Sequence, residues 1–286
     1  MNQLIKTFCK IDDFCNEYEI MCRKYLTYNE YKKTIPRTSM ALSEIMTILV
    51  RFHTSRFRDF KSYYLTVILG TLKSYFPKAL SYNRFVEVMR YALIPLLLYT
   101  IRYGFGKCNG LNFIDSTPLI ACKYQRRSSH KVMKNIADIG KSSTGWFYGM
   151  KLHLVINGSG EILSFCITSG NVSDINEEII EKLTKNIFGK LIGDKGYISK
   201  KIFKKLFENN ITLITKVRSN MKNKLLKFED AVFLKKRAVI ESVNNILKNT
   251  LQIEHTRHRN PVNFIVNLIS GIVAYCFIEK KPSIFM

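Results

Sequence analysis

Phe147–Ile156 (FYGMKLHLVI), then Asn157-Gly158-Ser159-Gly160, then Glu161–Thr168 (EILSFCIT), is the stretch that decides the fold class. Met150, Leu152, Leu154 and Ile156 alternate with Lys151 and His153, a period of two that only a strand can present as two faces. The Asn-Gly-Ser-Gly segment supplies turn chemistry, and the following apolar run returns as a second strand, so the segment reads as a β-hairpin. On that hairpin Trp146, the single tryptophan, reads as a packing residue rather than a platform for a base.

Working outward, Leu111–Ile114 is a short apolar run ending at Asp115, and Lys190–Gly193 is a second one ending at Asp194. Helices are expected at about 175–186, 199–208 and from near Val232, with a further strand at Ile211–Thr215. Strand, hairpin, helix, strand, helix, strand, helix is the order of a mixed sheet with helices on its faces. Upstream, residues 1–101 read as wholly helical, with apolar spacing in Ile45, Ile48, Leu49 and Phe52 and in Phe85, Val86, Val88 and Met89, and with Ser43 and Ser81 as caps. Three glycines in Tyr103–Asn112 mark the break. The expected division is therefore 1–102 and 103–286.

The 286 residues carry 45 Lys and Arg against 22 Asp and Glu, a formal net charge of +23. Such an excess points to a polyanionic partner, although Lys outnumbers Arg by 31 to 14, as codon bias alone produces. The first residues reach Asp12 and Asp13 before any apolar run, which argues against a signal peptide. Tyr91–Ile101 is too short to span a membrane, and Val262–Ile278 is interrupted by Asn263, Asn267, Ser270 and Gly271, so it reads as a buried helix. Seven irregularly spaced cysteines contain no Cys-x-x-Cys pair, which fits a reducing cytoplasm and leaves a zinc site unsupported. His255 and His258 read as surface histidines.

Three carboxylates stand out. Asp115 and Asp194 terminate apolar runs, and in open α/β sheets ligands gather at the carboxyl ends of strands. Either could equally begin a turn. Glu241 lies on the last helix, where at about 100° per residue Arg237, Glu241, Asn244 and Lys248 fall within roughly 60° of one another. A solvated salt-bridge stripe would look the same.

Together these residues resemble the DDE transposases of bacterial insertion sequences and, within them, the insertion-sequence family numbered nine-eighty-two. The first acid sits in Phe113-Ile114-Asp115-Ser116-Thr117. The second sits in Gly193-Asp194-Lys195-Gly196-Tyr197, preceded by Gly170-Asn171-Val172-Ser173-Asp174. The third sits in Arg237-x3-Glu241-x6-Lys248. A signature Tyr that usually stands three residues before the Arg is replaced here by Leu234. The resemblance implies a ribonuclease H-like α/β fold, a mixed sheet flanked by helices and preceded by an all-helical N-terminal domain for recognising DNA ends. It implies Asp115, Asp194 and Glu241 as catalytic residues holding two Mg²⁺ or Mn²⁺ ions, and cleavage and joining of double-stranded DNA by a cytoplasmic, nucleoid-associated homodimer. Arg237, Asn244 and Lys248, with the Lys123, Arg126 and Arg127 group that follows Asp115, are then the candidate DNA contacts. A nuclease of the same fold without strand transfer, or an inactive derivative acting as a repressor, would share the charge; the repressor would not need the three acids.

Overall fold

The computed structural model describes residues 2–27, 30, 38–142, 145–216 and 226–285. These form two compact units, one from Met1–Gly104 with Ile246–Ile278 and one from Phe105–Asn245 with Glu279–Met286. Residues 246–278, expected within the catalytic stretch, thus group with the N-terminal helices.

The first unit is helical. In α1 (Asn2–Tyr25) the residues Ile11, Phe14, Cys15, Tyr18 and Cys22 recur at three and four and make its buried face. α2 (Leu42–Thr54) buries Ile45, Ile48, Leu49 and Phe52 as expected, and also Ser43, Met46, Thr47, Val50 and His53. Ser43 is therefore not the cap. The Glu44 carboxylate accepts the Ala41 N–H at 2.7 Å instead, one half of a capping box. Asp59 caps α3 (Phe60–Tyr63), which widens into a π-helix over Tyr64–Thr71. Ser81 does cap α4 (Tyr82–Val88), its hydroxyl accepting from the Arg84 N–H at 3.4 Å. A 3₁₀ turn (Met89–Ala92), α5 (Leu93–Tyr99) and a π turn (Thr100–Gly104) complete the N-terminal part.

Into this unit folds α10 (Pro261–Cys276), with Pro261 in its first turn and the Asn260 side chain accepting the Val262 N–H at 2.8 Å. From Phe264 to Tyr275 it is buried at every position except Ile265, which is why it joins a helical core rather than flanking a sheet. Its polar residues are satisfied internally: Asn263 Nδ2 donates to the Val86 carbonyl at 2.9 Å. No described helix is long and apolar enough to cross a membrane. His258 departs from the surface reading: it is half-buried against the Phe60 ring, and burial lowers its pKa to about 4.

The second unit is built on a six-stranded sheet of β1 (Leu111–Lys123), β2 (Asp138–Ser142), β3 (Gly145–Asn157), β4 (Ile162–Ser169), β5 (Gly189–Gly193) and β6 (Ile211–Thr215). β3 and β4 are the expected hairpin. Asn157 Oδ1 accepts the Ser159 and Glu161 N–H groups, both at 3.0 Å, and Gly160 turns the chain at φ 73°. β3 pairs antiparallel with β1, and both β2 and β4 pair with the far side of β3. β5 runs parallel to β1, and β6 parallel to β5. Three antiparallel strands followed by two parallel ones, in the order β4-β3-β1-β5-β6, is a ribonuclease H-like sheet.

Helices cover both faces. α6 (Glu177–Thr184) and α7 (Lys200–Glu208) bring Ile180, Leu183, Ile202 and Leu206 onto Ile114, Val155, Leu191 and Leu213. On the other face α8 (Phe228–Lys236) packs against β5 and β6, and α9 (Ala238–Asn245) against β1. The single long helix expected from near Val232 is thus two helices hinged at Arg237, and beyond Asn245 the backbone continues as a π turn over Ile246–Thr250.

Candidate active site

β1 does not end at Asp115, as its apolar run suggested, but continues to Lys123, because the 13-residue β3 pairs with it along that length. What ends near Asp115 is the parallel pairing. β1 and β5 are in register as far as Phe113 opposite Ile192, so Asp115 and Asp194 each lie two residues beyond that pair, on neighbouring strands. Adjacent strands lie about 4.8 Å apart. The two acids therefore emerge side by side where β1 and β5 part, the position at which α/β sheets present ligands.

The Asp115 side chain is only 21% exposed. Its Oδ2 accepts from Asn244 Nδ2 at 3.0 Å, and its Oδ1 lies 3.8 Å from an Arg237 guanidinium nitrogen. Arg237 also forms a tight ion pair with Glu241 one turn along α9. Burial pushes the Asp115 carboxyl up to about 6; Arg237 opposes that rise, while the charges of Asp194 and, more weakly, Glu241 add to it. Asp194 and Glu241 thus both lie within electrostatic reach of Asp115. Asp194 is anchored by its own turn, accepting the Gly196 N–H at 2.7 Å. Glu241 is the most open, with 56% of its side chain exposed.

The three carboxylates do not close around a single point: among the described residues, no group of three or more His, Cys, Asp or Glu is close enough to hold a metal ion. The donor chemistry nevertheless suits a hard cation. Asp115 and Asp194 offer carboxylate oxygens, and the Asn244 carbonyl oxygen beside them is buried with no hydrogen-bond partner among the described residues. Asn244 was expected to touch DNA; here its amide holds Asp115.

The other expected contacts divide. Lys248 belongs to the helical unit, where it pairs with Glu254 at 3.2 Å. The expected polar stripe assumed an unbroken helix, and the π turn after Asn245 ends the 100° spacing on which it rested. Lys123, Arg126 and Arg127 lie at the far end of β1 and on the 3₁₀ turn that follows (Tyr124–Ser129), all exposed. Leu234, standing where the signature has Tyr, is buried in the core.

Sequence reasoning missed a second polar group on the opposite sheet face. Lys151 Nζ, on a side chain only 13% exposed, donates to the Val172 carbonyl at 2.9 Å and pairs with Asp174 at 3.1 Å. The Tyr197 ring is buried nearby; desolvation raises its hydroxyl well above the usual range, and the charges of Asp174, Asp115 and Asp194 add to that rise. Lys151 ties β3 to the Gly170–Asp174 loop. Alternation gave no signal for it, since Lys151 falls on the face opposite Met150, Leu152 and Leu154 and its partner Asp174 is 23 positions away.

No curated protein matches the chain. Among solved structures, it resembles a piggyBac transposase synaptic complex with hairpin DNA, at 11% identity and a TM-score of 0.48, over 94% of this chain and 72% of that one. Residues 105–261, more than half of the chain, match the family described as Transposase DDE domain. The chain belongs to that family and is a DDE-type transposase.

Proposed function

We propose that the chain cuts the ends of its transposon and joins their 3′-hydroxyls to target DNA, using Asp115, Asp194 and Glu241 as the catalytic and metal-binding carboxylates. The observation that carries this reading is the emergence of Asp115 and Asp194 side by side from adjacent parallel strands, with Arg237 lying between Asp115 and Glu241 of the covering helix. Asp115, Asp194 and the unpartnered Asn244 oxygen would hold one divalent cation, Mg²⁺ or Mn²⁺, and Glu241 would complete a site for a second. When bound, such ions make water or a 3′-hydroxyl nucleophilic near neutral pH and neutralise the leaving oxygen.

The chain's own residues prepare the rest. Asn244 fixes the orientation of Asp115, and the turn at Gly196 fixes that of Asp194. Arg237 clasps Glu241 and leans on Asp115, so that a cationic side chain offsets the repulsion between the acids. Once DNA is engaged, the same guanidinium is in position to take a phosphate beside the scissile bond. Lys123, Arg126, Arg127 and Lys248 neutralise the backbone further along. Two ends must be held together for joining, so the working form is a homodimer on double-stranded DNA, acting in the cytoplasm at the nucleoid. The N-terminal helices are the end-recognition module, and membership of the nine-eighty-two family is part of this proposal.

The test is a band-shift and cleavage assay on the DNA that flanks this reading frame. Asp115→Ala, Asp194→Ala and Glu241→Ala are each expected to abolish metal-dependent cleavage while DNA binding survives. Cleavage that persists in all three would overturn the assignment. Cut ends that accumulate without joined product would mark a nuclease.

A further inference from the structure

Trp146 is not a packing residue. It is the only tryptophan in the chain, and 59% of it is exposed. It stands at the start of β3 opposite Lys141 of β2, whose ammonium lies 5.5 Å from the indole centroid. On its other side the Tyr124 ring is 6.3 Å away and tilted by 42°. The Arg127 guanidinium in turn stacks over Tyr124 at 4.1 Å and donates to the Tyr124 carbonyl at 3.3 Å. Two neighbouring rings are thus flanked by a cation at each end of a row: Lys141, Trp146, Tyr124, Arg127.

A solvated basic face has no reason to leave its indole in water, since burying so large an apolar ring against the sheet would be favourable. Between Lys123 and Trp146 there are six basic residues and one acidic one. A polyanion is therefore the complementary partner, and the aromatic members specify which kind. An indole stacks on a base only where the face of that base is free, and exposed rings among basic side chains are the means by which proteins bind single strands. Lys141, on a flexible exposed stem, can swing from the ring to the phosphate of the stacked nucleotide.

We infer that Trp146, with Tyr124, Arg127 and Lys141, forms a stacking platform for unpaired nucleotides of DNA. This rests on the reading of the chain as acting on DNA but not on the identity of its catalytic acids. The position is informative. Residues 146, 148, 150, 152 and 154 of β3 alternate onto one face, and Leu154 is the register partner of Asp115. The platform therefore shares a sheet face with Asp115, eight residues or roughly 26 Å along the strand.

The single tryptophan makes the test direct. Full-length protein is titrated at low salt with a single-stranded oligodeoxynucleotide and with the duplex of the same sequence. Indole fluorescence is followed, with binding measured independently by anisotropy of end-labelled DNA. Saturable quenching by the single strand is expected, with little change on duplex binding. Trp146→Ala should weaken single-strand binding roughly tenfold, Trp146→Phe less, and both should leave duplex affinity within about twofold. Single-strand binding that leaves the fluorescence unchanged would overturn the inference, as would a Trp146→Ala variant that binds the single strand as tightly as the parent. Equal losses on single strand and duplex would reduce the patch to a backbone contact and overturn it too. Duplex binding with no binding of the single strand removes the platform alone, whereas absence of any DNA binding removes the DNA reading with it.

Discussion

Each unit of the molecule buries an ionisable group, and the two are treated in opposite ways. In the helical unit His53 is fully enclosed; its Nδ1 donates to the Leu251 carbonyl at 2.6 Å, and its Nε2 lies 3.0 Å from the Ser270 hydroxyl. Burial lowers its pKa to about 4, so it is neutral and paired on both nitrogens. In the sheet unit Asp115 is also mostly buried, yet its neighbours include two further acids, and its pKa is held near 6 rather than relieved. A satisfied buried histidine is a structural pin joining α2 to the segment before α10 and to α10 itself. A crowded buried carboxylate carries a cost in stability, which fits the binding role proposed for Asp115.

The sharpest way to break this contrast is mutation at both positions. His53→Ala leaves the Leu251 carbonyl without its donor and opens a cavity beside Ser270, so it should cost about 3 kcal/mol in urea-induced unfolding. Asp115→Asn should do the reverse. The folded pKa of Asp115 is above its unfolded value, so ionisation costs stability, increasingly as pH rises from about 4 through 6. At pH 8 the amide is expected to be more stable than the parent by up to about 3 kcal/mol, with the difference vanishing below pH 4. A destabilised Asp115→Asn at pH 8 would make Asp115 a structural residue like His53.

Acid should separate the units by a smaller margin. His53 and His258 both have folded pKa values lowered to about 4 by burial, so their stabilising effect is complete above pH 6.5 and is lost as pH falls toward 4. The sheet unit loses the same way through His153, whose pKa burial also lowers to about 4, but regains stability as Asp115 protonates over the same interval. Hydrogen exchange at pH 4.5 should therefore show α2 and α10 losing protection before β1 and β3. Simultaneous loss would mean the two buried groups are energetically equivalent after all.

The same contrast explains what could be read from the sequence. Periodicity is a property of burial, so the β3–β4 hairpin, the helices α6 and α7, and the buried face of α2 were all legible. Two things were not. The hinge at Arg237 and the π turn after Asn245 leave no mark on apolar spacing, and they moved Lys248 out of the expected stripe. Pairings between residues distant in sequence are equally silent: Asn244 with Asp115 is 129 positions apart, and His53 with Ser270 is 217. Trp146 was misread because composition treats an indole as core, whereas exposure depends on whether the strand edge is covered.

Arg237 should give a still smaller effect. It is the main influence lowering the Asp115 pKa, so Arg237→Gln should raise that pKa above 6. The change should be visible in the carboxyl carbon shift of Asp115 across a pH titration. An unchanged midpoint would mean that Arg237 serves Glu241 alone.

The smallest expected change concerns the one candidate DNA contact that lies in the helical unit. Lys248 pairs with Glu254, and the two side chains are 22% and 18% exposed. Partly buried pairs of this kind contribute little net stability, because desolvation offsets most of the attraction. Glu254→Gln should therefore cost about 1 kcal/mol or less, while releasing the ammonium from its carboxylate. If Lys248 contacts phosphate, the variant should bind duplex DNA more tightly at low salt without altering the slope of log affinity against log salt. The Lys248→Gln variant should instead flatten that slope by about one unit. Equal slopes for the parent and Lys248→Gln would show that the lysine is, like His53, a structural partner in the helical unit. The named phosphate contacts near the acids would then all come from the sheet unit.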